Sequence, residues 1–101
     1  MPEDTKMLSQ IPINIEKLSI ETRDKEILRA AIIAELDAIN LYEQMAAISQ
    51  NSLIKKLLLD IAKEEKPHVG EFQTLLLAND AEQVKELEEG KKEVEELTKE
   101  E

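Results

Sequence analysis

Two stretches of this sequence carry mostly apolar residues at alternating spacings of four and three, and a short polar segment separates them. The first series is Leu28, Ile32, Glu35, Ile39, Tyr42 and Ala46. The second series is Ile54, Leu58, Ile61, Glu65, His68, Phe72 and Leu75. Such spacing places the members of a series on one face of an α-helix. Because residues 49–52 form so short a connection, we expect the two helices to be antiparallel neighbours.

Polar residues mark the expected ends of the helices. The first helix should start at Ser19 or Thr22 and run to about residue 49, and Asn51 or Ser52 should cap a second helix that runs to about residue 78. Asn79 and Asp80 then precede a short third helix, which we expect Gly90 to end. The predicted fold is all-α, an antiparallel two-helix hairpin plus a short C-terminal helix.

The chain divides into three predicted segments. Residues 1–18 include Pro2 and Pro12, and isoleucines alternate around Pro12. This pattern predicts an extended arm that packs on a neighbouring subunit, with a disordered terminus as the alternative. Residues 19–90 form the helical domain, and residues 91–101 form a further charged helix or tail.

Composition narrows the set of partners and cofactors. The chain has 13 basic and 23 acidic side chains, a net charge of −10, and no cysteine. A nucleic-acid or anionic-membrane surface needs cationic patches, and a thiolate metal site needs cysteine, so we expect none of these. The N-terminus lacks the layout of a secretion signal, and no apolar run approaches the ~18 residues of a membrane span. We therefore expect a soluble, cytoplasmic protein.

Both helices are apolar beyond the two series. The first also carries Ile33, Leu36, Leu41 and Ile48, and the second also carries Leu57, Ala62, Val69 and Leu76. A lone hairpin buries one stripe per helix, so other chains must cover the remainder. The pattern predicts an obligate homo-oligomer.

Three ionisable side chains occupy positions in these apolar series: Glu35, Glu65 and His68. Each alone has a simpler explanation, a core histidine bonded to a backbone carbonyl or a glutamate at a surface edge. Together they are harder to explain, because each buried unpaired charge costs roughly several kcal/mol. A divalent ion would neutralise them, and a set of carboxylates and imidazole suits iron, manganese or zinc.

These residues form half of a recognised type of metal site. In ferritin-like carboxylate proteins two helices each give a Glu, and two others each give Glu-x-x-His. This chain has one helix of each kind. A twofold dimer would complete both a four-helix bundle and a site for two metals, held by Glu35, Glu65 and His68 of each chain.

The two motifs resemble those of the encapsulated ferritins, truncated two-helix members of the ferritin-like group. Residues 34–42 read AELDAINLY and residues 64–72 read EEKPHVGEF. The resemblance covers residues 22–90. It rests on a Glu placed 30 residues before Glu-x-x-His and on a tyrosine seven residues after that Glu.

This resemblance implies a ferroxidase that oxidises Fe(II) to Fe(III) with dioxygen at a di-iron centre between subunits. It implies Glu35 and His68 as terminal ligands, Glu65 as the bridging ligand, and Tyr42 as a neighbour of the site. It also implies dimers arranged in a ring, housed inside an encapsulin nanocompartment that stores the iron.

The sequence departs from the family pattern in several places. A site for metal uptake found in some members retains only Asp37 as a candidate, because Ala34 replaces an acidic residue. No shell-targeting peptide follows residue 90, so the chain either ends before one or continues into the shell protein itself. Pro67 lies inside the second predicted helix, on its outer face. This placement favours a tolerated surface kink, and a π-type bulge that re-aims His68 is the alternative.

Two other functions remain open at this level. One is a rubrerythrin-like peroxide reductase, which would normally bring a cysteine-ligated electron-transfer site, so the absence of cysteine counts against it. The other is a metal-independent helical oligomerisation or cargo module, in which the polar residues only fix the register of the helices.

Overall fold

The chain folds into three α-helices in a computed structural model, which describes residues 19–100. They are α1 (Arg23–Ile48), α2 (Ser52–Ala78) and α3 (Ala81–Lys99), and the described residues include no β-strand. α1 packs along α2 as a hairpin, whereas α3 leaves the end of α2 and contacts it far less. The predicted all-α fold is confirmed. The predicted N-terminal arm of residues 1–18 lies outside the described residues.

Hydroxyl and carboxylate groups organise the start of α1. Thr22 occupies the N-cap position, one of the two positions expected from the sequence. Its Oγ1 donates a 2.8 Å hydrogen bond to Oε2 of Glu26, and its hydroxyl also pairs with that of Ser19 at 2.7 Å. The acidic side chains of Asp24 and Glu26 lie in the first turn, where they complement the positive end of the helix dipole.

The limits of α2 are those that the sequence predicts. Asn51 caps its start, because the side-chain Oδ1 accepts hydrogen bonds from the backbone N–H groups of Leu53 at 3.0 Å and Ile54 at 3.1 Å. Pro67 lies inside the helix with an exposed side chain. Residues 52–78 are α-helical throughout, so the π-type bulge considered at Pro67 is absent from this helix.

Asp80 fixes the start of α3 and ties it to α1. One carboxylate oxygen accepts the backbone N–H of Gln83 at 3.0 Å, and the other accepts a hydrogen bond from Arg29 at 3.1 Å. The expectation that Gly90 ends this helix is wrong, because α3 continues through Gly90 to Lys99. A helix-ending glycine usually adopts a positive φ, and no described glycine does so. A single helical glycine costs only about 1 kcal/mol relative to alanine, too little to stop a capped helix.

The contact between α1 and α2 corrects the predicted register of α2. The most buried apolar side chains are Ile39 and Ala46 on α1, and Ala62 and Leu76 on α2. The sequence series had placed Ile61 and Leu75 inward, but Leu75 is 55% exposed. α2 therefore carries two adjacent apolar stripes: Ala62 and Leu76 are the most deeply buried, while Ile61 and Phe72 of the predicted series are partly buried.

Much apolar surface is left outside the hairpin. Leu53, Ile54 and Leu57 line an open groove on the first half of α2, and each is more than half exposed. This exposure agrees with the predicted need for further chains, which remains a prediction for this single chain. None of the described helices is long and apolar enough to cross a membrane.

Candidate metal centre

Three residues from the two long helices meet near the middle of the hairpin. Glu35 comes from α1, and Glu65 and His68 come from one turn of α2. The Nδ1 atom of His68 lies 3.5 Å from Oε2 of Glu35 and 3.4 Å from Oε2 of Glu65. One ligand atom from each residue falls within 4.8 Å of the other two. The structure therefore brings together the three residues that the sequence predicts as metal ligands.

The two carboxylates are more buried than the histidine. The side chains of Glu35 and Glu65 are 20% and 23% exposed, whereas that of His68 is 47% exposed. The Oε2 atom of Glu35 is buried and has no hydrogen-bond partner among the described residues. A buried oxygen of this kind is costly unless it is satisfied, so it indicates a missing partner such as a cation.

Proton sharing links the acidic groups. A hydrogen bond with Glu65, together with burial and the charge of Glu65, raises the pKa of Glu35 above its usual value. The same hydrogen bond lowers the pKa of Glu65, which accepts it. Burial lowers the pKa of His68, but Glu35, Glu65 and Glu71 outweigh it and raise the pKa above its ordinary value. Without a metal, Glu35 and His68 therefore hold their protons more tightly than these groups ordinarily do.

The geometry and chemistry of the cluster fit a divalent metal. Ligand atoms bound at about 2.1 Å from one ion are at most about 4.2 Å apart. The 3.4 and 3.5 Å separations meet this limit, and the ligand atoms of Glu35 and Glu65 lie within 4.8 Å of each other. Two carboxylates balance the charge of a divalent ion, and a mixed set of oxygen and imidazole ligands suits iron, manganese or zinc.

One side of the cluster is open. A depression of about 350 Å³ is lined by Glu35, His68, Glu71, Phe72 and Leu75. Two of the three candidate ligands, Glu35 and His68, line it, together with the partly buried side chain of Phe72 and the exposed side chain of Leu75. A single chain thus supplies one side of a site, as expected for half of a centre.

Comparison with known proteins places the chain in a family. The Rubrerythrin family matches residues 26–101. The chain belongs to that family. A solved structure, the crystal structure of the encapsulated ferritin domain from Pyrococcus furiosus, matches it with a TM-score of 0.77 and 59% sequence identity. That match covers 90% of this chain and 95% of the other, so the predicted resemblance to encapsulated ferritins is confirmed.

A longer relative of this rubrerythrin-family chain is itself a fusion with a shell protein. The chain is 58% identical over 94 residues to a ferritin-like–encapsulin shell fusion protein of Pyrococcus furiosus. The match covers 91% of this chain but 27% of that protein. The chain thus spans about a quarter of the length of this curated relative.

Two other predicted site residues lie outside the three-residue cluster of this rubrerythrin-family chain. Tyr42 lies on α1, partly buried, and makes no hydrogen bond to the cluster in the described part of the chain. Asp37 is also on α1 and partly buried. Their predicted roles, as a neighbour of the site and as a metal-uptake residue, remain predictions.

Sequence reasoning missed Glu71. Its Oε1 lies 3.9 Å from Nε2 of His68, on the edge of the imidazole that faces away from Glu35 and Glu65. The signal was available, since Glu71 stands three residues after His68 and shares its helix face. It was overlooked because Glu71 falls outside the four-three series.

Proposed function

We propose that this protein is a ferroxidase, which oxidises Fe(II) to Fe(III) with dioxygen at a di-iron centre. The observation that carries the proposal is the convergence of Glu35, Glu65 and His68 around a buried carboxylate oxygen of Glu35 that lacks a hydrogen-bond partner in the described part of the chain. Membership of the Rubrerythrin family supports it. The ligand types fit Fe(II), which is both bound and consumed as a substrate.

The centre is proposed to form between two chains. Each chain supplies two carboxylates and one imidazole, half the set found in ferritin-like carboxylate sites. The open depression beside His68 leaves room for the matching residues of a second copy. Glu35 and His68 would then be terminal ligands, and Glu65 would bridge two iron ions. Dimers of this kind would assemble further into a ring.

The residues of the chain have separate tasks in this reaction. The two carboxylates bind Fe(II) and offset its charge, and this environment favours the more highly charged Fe(III) product. His68 contributes a neutral ligand once its proton has left. Each Fe(II) ion gives one electron, so two Fe(II) ions and two protons would reduce one dioxygen to hydrogen peroxide. Tyr42, one heptad from Glu35 on α1, is the proposed neighbour of the site.

Storage of the oxidised iron needs a separate compartment. A three-helix chain cannot by itself enclose a mineral, so Fe(III) must leave the subunit. The relative that is fused to an encapsulin shell supports an encapsulin nanocompartment as the location. We propose that the chain acts inside such a shell, as separate cargo or as one part of a fusion.

Iron oxidation by the parent and by variants tests the ferroxidase. Fe(II) is added to metal-free protein without oxygen, air is admitted, and ferric absorbance is followed. Glu65→Ala should oxidise iron more than about a hundredfold more slowly, since losing a ligand should exceed the 10–100-fold cost of losing a residue behind one. Glu64→Ala, which removes the exposed neighbouring carboxylate, should match the parent. Equal rates in the parent and Glu65→Ala would exclude the proposal.

A peroxide reductase is the second candidate, because the matching family is Rubrerythrin. Oxygen-electrode and peroxide assays on the same iron-loaded sample separate the two functions. Faster oxidation of Fe(II) by dioxygen supports the ferroxidase, and faster oxidation by peroxide supports the reductase. Assembly that needs no metal, in a purified sample that contains none, would instead favour the oligomerisation module.

A further inference from the structure

The candidate ligands Glu35 and Glu65 contact one edge of the His68 imidazole. Its Nδ1 faces Glu35 and Glu65, so this nitrogen would bind the metal. The opposite nitrogen, Nε2, lies on the side of Glu71, which lines the same depression. Of the described residues, Glu71 alone places a carboxylate oxygen within 4 Å of it, at 3.9 Å.

A metal-binding imidazole needs a partner for its second nitrogen. The nitrogen that binds the ion must lack a proton, so the other nitrogen carries the N–H group. A carboxylate that accepts this N–H fixes the tautomer, holds the ring plane and makes the ligand more basic. His68 is nearly half exposed, and packing alone leaves its ring loosely fixed.

We propose that Glu71 is a positioning residue for the metal centre, which accepts the Nε2–H of His68 and so presents Nδ1 to the metal. This inference rests on the proposed metal site, but not on its ferroxidase activity. A modest rotation of Glu71, whose side chain is 70% exposed, brings the 3.9 Å separation to hydrogen-bond length. The apolar side chains of Phe72 and Leu75 line the same depression as His68 and Glu71.

Helix geometry explains why Glu71 can do this. Glu65, His68 and Glu71 follow one another at intervals of three on α2, so each side chain lies one turn from the next. Glu65 reaches one edge of the imidazole from the preceding turn, and Glu71 reaches the other edge from the following turn. A single helix therefore supplies a candidate metal ligand, the histidine and its outer partner.

Zinc affinity provides a test that needs no iron chemistry. Zn²⁺ binding to the full metal-free chain is measured by competition with a chromophoric chelator. Glu71→Ala should weaken binding by about tenfold, the lower end of the range for residues behind a metal-binding histidine, because Glu71 is exposed. Glu71→Gln keeps a hydrogen-bond acceptor and should stay within about threefold of the parent.

Asp60→Ala is the matched control for charge. Asp60 is an exposed carboxylate on the same helix, two turns before His68, and its removal should change affinity by less than about twofold. Equal losses in Asp60→Ala and Glu71→Ala would overturn the proposal, since the effect would then be general electrostatics. Parent-like affinity in Glu71→Ala, or equal losses in Glu71→Ala and Glu71→Gln, would also overturn it.

The imidazole itself gives a second readout. The chain has one histidine, so imidazole signals in a nitrogen-15 spectrum of the zinc-loaded protein belong to His68. The Nε2–H proton should exchange with water more slowly in the parent than in Glu71→Ala. Equal exchange rates would overturn the proposal. If the parent binds no Zn²⁺, the proposed metal site and this inference are both excluded. If it binds Zn²⁺ but does not oxidise iron, only the proposed ferroxidase activity is excluded.

Discussion

Protons and metal compete for the same side chains at the centre. Burial lowers the pKa of His68, but three carboxylates outweigh it and raise the pKa above 6.5. The hydrogen bond with Glu65 raises the pKa of Glu35 above 4.5. Metal ligands must be deprotonated, so binding has to displace these protons. We expect Zn²⁺ affinity to rise with pH through the neutral region, by about tenfold per pH unit for each proton displaced.

Chelator competition between pH 5.5 and 8.5 measures this slope. The slope should flatten once the pH exceeds the pKa of His68, because no proton then remains to displace. Asp60→Ala should keep the parent slope, since it leaves the cluster intact. An affinity that does not change across this range would show that the metal binds elsewhere.

The three candidate ligands could be picked out from sequence because they are ionisable residues at positions where the helical pattern calls for apolar ones. Glu35, Glu65 and His68 interrupt apolar series at helical spacing, and helix geometry alone places them on facing surfaces. The degree of burial could not be predicted. The side chain of His68 is 47% exposed in the single chain. The spacing does not show which of the two adjacent apolar stripes of α2 is more deeply buried, so this exposure could not be read from it.

Pro67 offers a test at the level of the α2 helix. Its side chain is exposed, and the helix continues through it without changing type. Proline inside a helix removes a backbone hydrogen bond and costs about 3 kcal/mol. We therefore expect Pro67→Ala to raise the free energy of unfolding by about 1–3 kcal/mol, measured by denaturant titration, and to leave Zn²⁺ affinity within about twofold of the parent.

Gly90→Ala is the control for a backbone effect away from the metal. An added Cβ at Gly90 meets no atom within 4 Å, and the residue is helical, so we expect a gain of about 1 kcal/mol. If Pro67→Ala weakens zinc binding while Gly90→Ala does not, Pro67 contributes to the orientation of the His68 side chain.

Asp80 joins α3 to the hairpin, so replacing it should lower the thermal stability of the protein. The carboxylate accepts the N–H of Gln83 and pairs with Arg29, and Asp80 is buried. Asp80→Ala should lower the melting temperature by roughly 5 °C, because it removes an N-cap and leaves Arg29 unpaired. Arg29→Ala keeps the cap and should have a smaller effect. Equal decreases in melting temperature in the two variants would show that the stabilisation comes from the ion pair and not from the N-cap.

The pH dependence of stability follows from the same contacts. The N–H of Gln83 lowers the pKa of Asp80, burial opposes it, and Lys25 and Arg29 lower it further. A depressed folded pKa gives stability that is present above the ordinary value of 3.8 and is lost as pH falls through the folded value. Asp80→Asn should lose part of this acid dependence when melting temperatures are compared between pH 2 and pH 6.

The helix limits show where sequence reasoning works and where it stops. Asn51 and Asp80 mark the starts of α2 and α3 because their side chains bond to backbone N–H groups nearby, an effect that local sequence contains. Gly90 was misjudged because its role depends on whether the chain turns there. The apolar residues Val94 and Leu97 extend the helical pattern of α3 beyond it. That longer-range pattern outweighs the cost of one helical glycine.

A single chain leaves apolar surface exposed beside the candidate centre. Leu75 is 55% exposed and lines the same depression as Glu35 and His68. Such apolar surface is unfavourable in water, and the proposed centre would have its other half on a second chain. Covering the surface and completing the site are therefore expected to be a single event, the pairing of two chains across the depression.

The Leu75→Lys substitution should prevent the pairing of two chains and, with it, abolish the oxidation of Fe(II). The added charge would lie at the depression, against the matching surface of a second copy, where it cannot be solvated. Light scattering should then give the 11.5 kDa mass of one chain, whereas the parent should give at least twice that mass. Gln44→Lys adds the same charge at an exposed polar position of α1 and should keep the parent mass and rate. A monomeric Leu75→Lys variant that still oxidises Fe(II) at the parent rate would show that one chain suffices, and the shared centre would have to be abandoned.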